Sequence, residues 1–407
     1  MKRQPMALPA AAALMMLCST GIVRAVPLTS QVVFGGAGTQ QGTGVAVSGG
    51  NVYFSGVNTA ASDGMLGRYN SALTTPSWSQ LMGGSPFGDL RGVAVSNIVY
   101  SAGSSRNSPL VADGVGGFEN KSVAVGVGLG GGAYTFRTQT PAGAPFLPYS
   151  GTEASYGIAV ANSGGVDSIY TAGFAQADGS GTGYNMTVAK LNQAGNTVAT
   201  ATFNTGQGTF GFGVTTLGGN VFVAGSAGAS ANAVIRAYNG NLGFLWMDTA
   251  VVGNYSDVTA YNGAIYAVGG LGTTGFVSRF DPVSGVRLWT QSYAGDSLNG
   301  IVGANGSLYA VGSSGSDAVL LTLDAATGVQ QNAQTFGGAG TDVFNDVAVD
   351  SVSGALYAIG TTDSASLGAN GSDVWIAGFA TPTPEPTSAA LLGLGTLLLA
   401  ARRRRSA

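Results

Sequence analysis

From residue 31 to residue 379 the chain alternates apolar and polar positions with a period of two, as in Gly44-Val45-Ala46-Val47, and stripes of helical period are absent. This is the pattern of half-buried β-strands, because successive strand side chains point to opposite faces. Gly, Asn and Asp clusters punctuate the pattern and predict tight hairpin turns. A short phrase recurs within it: apolar residue, aromatic, two residues, glycine. It ends at Gly56, Gly103, Gly173, Gly225, Gly269, Gly312 and Gly360, in forms such as Val52-Tyr53-Phe54-Ser55-Gly56 and Leu308-Tyr309-Ala310-Val311-Gly312. The steps between these glycines are 47, 70, 52, 44, 43 and 48 residues. A four-stranded propeller blade takes about 40–50 residues. The fold expected is therefore all-β, a seven-bladed β-propeller of four-stranded blades.

Each unit has the same internal order. An alternating strand is followed by the aromatic strand, a Gly/Ser loop and a third strand such as Ala318–Leu323. A tight turn such as Asp324-Ala325-Ala326-Thr327-Gly328 then leads to a fourth strand. The last unit stops after its third strand, Asp373 to Phe379. The N-terminal Gln31-Val32-Val33-Phe34 precedes a FGGAG phrase just as Ala333-Gln334-Thr335-Phe336 does. The N-terminal strand is expected to supply the missing fourth strand, because a closed ring leaves no exposed blade edge between the termini. The second unit is the longest. Its Gly-rich stretch, residues 113–133, is read as an insertion able to hold extra strands, with Gly126 to Gly131 as a flexible loop.

Composition agrees with many short strands joined by turns. Glycine numbers 68, charged residues are 9% and apolar residues 45% of the 407. There is no histidine, and the one cysteine, Cys18, lies near the N-terminus. These absences exclude the commonest general base, a thiol nucleophile in the body, His/Cys zinc sites and c-type haem attachment. Seven of the sixteen basic residues (Lys2, Arg3, Arg24 and Arg402 to Arg405) sit in the terminal segments. The body between them holds nine basic residues against nineteen acidic ones, counting Glu385, a net charge of −10. Such a body repels nucleic acid and anionic membranes. A divalent cation, or a neutral or cationic glycan, conflicts with it less.

The two ends differ from the body. Lys2 and Arg3, the apolar run from Met6 to Cys18, and Val23-Arg24-Ala25 have the three parts of a secretory signal peptide, assigned to residues 1–25. Residues 26–381 are the repeat domain. Residues 382–407 open with Pro384-Glu385-Pro386, which interrupts regular structure. An uncharged run from Ser388 to Ala401 follows, and then Arg402, Arg403, Arg404 and Arg405. The run is short for a membrane span of about 20 residues, and the arginines would face the cytoplasm. This tripartite end resembles the PEP-CTERM sorting signal of Gram-negative bacteria. The resemblance implies export through the inner membrane, a transient anchor through the C-terminal helix and recognition by an exosortase-type membrane protease. It also implies a cell-surface or matrix location associated with exopolysaccharide and biofilm. The body phrase, best seen from Phe336 to Gly360, resembles the SBBP type of bacterial β-propeller repeat.

Candidate chemistry in the body is confined to carboxylates. Asp342, Asp346 and Asp350 lie close together in sequence and suggest a calcium site or an acid/base pair, with calcium as the one cofactor considered. The competing reading has them capping turns and strand ends, since EF-hand spacing is lacking. Gly126-Val127-Gly128-Leu129-Gly130-Gly131 lacks the Lys-Ser/Thr of a nucleotide-binding loop. Trp78, Trp246, Trp289 and Trp375 suit blade packing better than sugar stacking, because aromatics on strands bury large apolar areas. The function expected is a non-enzymatic exported binding or structural module, with polysaccharide or an envelope protein as partner. The alternative is a carbohydrate-active enzyme using channel aspartates.

Overall fold

The computed structural model describes residues 25–35, 38–59, 63–82, 88–105, 121–131, 134–139, 153–176, 183–228 and 232–380. Both terminal labels, including Pro384, Glu385, Pro386 and Arg402 to Arg405, lie outside these residues. The described strands form seven antiparallel four-stranded sheets, the blades of one ring. Blades 1 to 6 follow the chain: residues 40–82, 89–139, 153–203, 209–252, 254–294 and 296–336. Within each, sequential strands pair from the innermost outward.

Blade 7 is composite. Its inner three strands are Asp342–Val349, Leu356–Thr362 and Asp373–Phe379, and its outermost strand is Leu28–Phe34. Val32 pairs with Ile376 and Phe34 with Val374, so the N-terminal strand closes the ring as its sequence predicted. The long second unit is a single four-stranded blade in the described residues. The expectation of a loop at Gly126 to Gly131 is corrected in part. Gly126 and Val127 end the third strand, Lys121–Val127, and only Gly128 to Gly131 turn. Glycine fits there because a Cβ on Gly126 would lie 2.5 Å from the Phe136 ring.

The core runs between blades rather than within one layer. Leu308 and Ala310 pack with blade 5 residues such as Val277, while their neighbours Tyr309 and Val311 pack with Phe344 and Trp375 of blade 7. Both faces of the middle strands are thus buried, which explains why the recurring phrase is continuously apolar instead of alternating. Blade 7 packs against blade 1 in the same way, Ile359 and Ile376 meeting Val45 and Phe54. Burying each such side chain contributes about 1.5–3 kcal/mol.

The recurring tyrosine fastens neighbouring blades. The hydroxyls of Tyr170, Tyr266 and Tyr357 each donate to a backbone carbonyl of the next blade's outer turn, at Gly240, Ala325 and Ser71, all at 2.9 Å. Tyr100 donates instead to Asp167 of blade 3 at 2.7 Å. The first hairpins of blades 5 and 6 turn at Asn262-Gly263 and Asn305-Gly306, with φ positive at both residues. This is the turn whose twist matches paired strands. Among the described residues no helix is long and apolar enough to cross a membrane.

Candidate functional site

The inner strands converge on a central cavity, and all seven carry the same irregularity. In blade 1, Gly42 pairs with Gly56 and Gly44 with Ser55, leaving Thr43 as an extra residue. The equivalent extra residues are Arg91, Tyr156, Phe212, Ser256, Asn299 and Asn345. Each is a β-bulge, which bends a strand and re-aims a side chain. All seven bulged residues line one cavity of about 540 Å³, within the roughly 300–1,000 Å³ range of small-molecule sites.

These bulges account for the glycine that ends each repeated phrase. That glycine pairs beside the bulge, and a Cβ on it would collide with an inner-strand carbonyl oxygen. The separation would be 1.7 Å at Gly312 (to Ser297), 1.8 Å at Gly225 (to Phe210) and 1.8 Å at Gly360 (to Val343). The repeated glycine is therefore required by close backbone approach.

The position after each bulge is glycine in five blades: Gly44, Gly92, Gly157, Gly213 and Gly300. A Cβ there would press on the next blade's backbone, as Gly300 would at 2.8 Å from the Asp346 Cα. The two exceptions are Asp257 in blade 5 and Asp346 in blade 7. Each reaches across to the next blade. The Val45 N–H donates to Asp346 Oδ2 at 2.8 Å, and the Ile301 N–H to Asp257 Oδ2 at 3.1 Å. Glycines Gly44 and Gly300 precede those two N–H groups, so no Cβ stands on the neighbouring residue.

Both carboxyls are held above the ordinary range. Burial first, and then the charge of Asp346, push Asp257 up to about 8. Burial pushes Asp346 up to about 6, against the pull of the Val45 and Val347 N–H groups. Removing water disfavours the charged form, and a neighbouring like charge adds to the effect.

The cavity wall divides into two arcs. Blades 5, 6, 7 and 1 present Ser256, Asn299, Asn345 and Thr43, with the two aspartates. Here side chains tie one blade to the next: Asn299 Nδ2 donates to the Phe344 carbonyl at 3.0 Å, Asn345 Nδ2 to Gly42 at 2.7 Å, and Thr43 Oγ1 to Leu90 at 2.6 Å. Blades 2, 3 and 4 present Arg91, Tyr156 and Phe212. The Arg91 guanidinium lies 4.6 Å over the Tyr156 ring and meets Asp89 at 2.8 Å. Tyr156 meets Phe212 edge-on at 5.5 Å, and Phe212 stacks on Phe210 at 6.2 Å.

The three aspartates singled out in the sequence do not form one group. Asp342 is buried and accepts from Thr362 Oγ1 at 2.5 Å and Ser364 Oγ at 2.8 Å. Asp350 caps a turn through the Val352 N–H at 2.9 Å and Ser353 Oγ at 3.0 Å. Of the three, Asp346 alone lines the cavity. Among the described residues no group of three acidic, Cys or His side chains is placed to hold a metal. Trp78, Trp246 and Trp289 donate their indole N–H groups to the next blade's turn, at Leu129, Pro282 and Ala326. Trp375 is buried against Phe344 at 4.6 Å. All four serve packing. Sequence reasoning passed over Asp257 and the bulged residues. Their signal was an aligned column in which aspartate twice replaces glycine.

No protein-family profile matches the chain, and no curated protein sequence is detectably similar to it. Among solved structures it is similar to the WD40 β-propeller domain of Doa1, with a TM-score of 0.56 and 10% sequence identity. The match covers 89% of this chain and 97% of that one. The chain is a seven-bladed β-propeller resembling a WD40 propeller. At that identity the likeness concerns the fold alone, and propellers host many functions.

Proposed function

We propose that this chain is an exported, non-enzymatic binding module of the cell surface or extracellular matrix, and that its central cavity takes a polysaccharide or a segment of an envelope protein. The observation carrying this reading is the convergence of seven bulged side chains on one cavity of ligand size. Aromatic faces, amides and carboxylates together suit a carbohydrate, which offers both apolar ring faces and hydroxyls. The terminal labels support the location. An exosortase-type protease would process the C-terminal segment after the membrane holds it, and replacing Arg402 to Arg405 by Ser should abolish retention in cell fractionation. Normal anchoring of that variant would sink the assignment.

The binding test titrates the exported protein with the producing cell's own exopolysaccharide, with calcium and with a chelator. Saturable binding that Phe212→Ala weakens is expected, and binding unchanged by that substitution would place the site elsewhere. The raised carboxyls of Asp257 and Asp346 favour a second reading, a carbohydrate-active enzyme, since such enzymes keep one carboxyl protonated beside another ionised one. Shortened polysaccharide chains after incubation would establish it. The non-enzymatic reading is preferred because both carboxylates brace neighbouring blades through backbone N–H groups.

A further inference from the structure

The polar arc of the cavity is rich in acceptors. Thr43 commits its only hydroxyl proton to the Leu90 carbonyl, and Asn299 and Asn345 each commit an amide N–H to the following blade. Each amide keeps its second N–H beside its oxygen and can both donate and accept, whereas the threonine oxygen and the second lone pairs on the Asp257 and Asp346 carboxyl oxygens are left to accept. A cationic side chain does line the cavity at Arg91, but on the other arc, paired with Asp89 and lying over Tyr156. The two carboxyls are the acidic groups of the polar arc, and an ammonium placed between them would favour their ionised form by displacing the protons that burial leaves on them. Round the ring, blade 7 with Asp346 stands opposite blades 3 and 4, which contribute Tyr156 and Phe212. Both rings are half-buried and wall the cavity.

A ligand that matches both arcs has an ammonium group on one side and an apolar face on the other. A simple alkylamine lacks the further hydroxyls that could satisfy the amide oxygens. An inorganic divalent cation would use the oxygens and leave the aromatic wall idle. We infer that the cavity binds an amino-sugar unit, its ammonium held between Asp257 and Asp346 and its ring face turned to Tyr156 and Phe212. This inference rests on the glycan-binding reading above and sharpens it to a cationic saccharide. The net charge of −10 on the body draws such a ligand in and turns away acidic polysaccharides.

The test is calorimetric titration of the exported protein with short glucosamine oligomers, with fully N-acetylated oligomers of the same length, and with glucose oligomers. Each is run with calcium and with a chelator. The glucosamine oligomer is expected to bind about tenfold or more tightly than the other two, because acetylation removes the charge that the carboxylates recognise. Asp346→Asn and Asp257→Asn should each erase that preference while leaving residual saccharide binding, and Phe212→Leu should weaken all three sugars. The comparison of free and acetylated amines needs no variant, so it stands even where a substitution harms folding. Equal binding of amine and acetylated oligomers would overturn the inference and leave the glycan reading intact. No binding by any saccharide would overturn both. Binding that requires calcium and ignores the amine would replace the ammonium with a metal ion.

Discussion

The two arcs of the cavity build one backbone feature from different chemistry. In blades 5, 6, 7 and 1 the bulged residue is Ser, Asn, Asn and Thr, and Asn299, Asn345 and Thr43 join blades by hydrogen bonds to the neighbour's carbonyl. In blades 2, 3 and 4 it is Arg, Tyr and Phe, and these join blades by ring and cation contacts. The bulge belongs to the fold, since every blade has it. The side chain placed on it is free to differ, since it points into the cavity and no blade core depends on it. A structural device common to all repeats thus becomes a set of seven cavity positions whose side chains differ from blade to blade.

The largest expected effect tests the ring on which both arcs depend. Deleting residues 26–34 removes the outermost strand of blade 7 and exposes the edge of Asp373–Phe379. Cooperative thermal melting should be lost or displaced far downward, and a variant melting like the parent would refute closure. Next comes the bulge itself. Gly312→Ala would put a Cβ 1.7 Å from the Ser297 carbonyl, and overpacking of this kind should cost about 3 kcal/mol in chemical denaturation. A loss below about 0.5 kcal/mol would mean that the bulge can relax.

A third test separates the arcs by pH. In the unfolded chain Asp257 and Asp346 would titrate near 4, whereas in the folded chain they hold their protons up to about 8 and about 6. The folded state therefore binds more protons through this window, and stability should fall as pH rises from 5 to 8. Thermal melting should drop by a few degrees over that range, and Asp257→Asn should flatten the slope. The same scan on Tyr156→Leu, a change in the other arc, should keep the parent slope. A melting temperature that rises across this range would contradict the assigned direction. The smallest effect concerns one hydrogen bond. Thr43→Val removes the contact to Leu90 in the polar arc and should cost about 1 kcal/mol in denaturant unfolding. A neutral or stabilising result would show that the bond across blades 1 and 2 contributes nothing measurable.

Much of the fold was legible in the residues. The repeated phrase marked every blade, because a strand buried on both faces between two neighbours must be apolar throughout. The composite seventh blade was legible too, since its strand count was one short and the N-terminus held a matching strand. The site was less legible. Asp342, Asp346 and Asp350 look like one cluster in sequence, yet eight strand residues at about 3.3 Å each set the outer two roughly 26 Å apart. The extra residue Asn345 also breaks the alternation between Asp342 and Asp346. Asp257 is not legible locally, because its partner Asp346 stands 89 positions away and a single aspartate offers no spacing to read.

What the sequence determined by itself is the local and repetitive part: strand period, hairpin turns, blade number and the need for a closing strand. These follow from side-chain alternation and backbone sterics, which act over a few residues. What the tertiary structure decided is which of the repeated positions meet. Ring closure turns the same place in seven distant strands into one wall, so a substitution in a single repeat gains meaning from the opposite blade. The carboxyls of Asp257 and Asp346 are raised because ring closure buries both of them and brings the charge of Asp346 near Asp257.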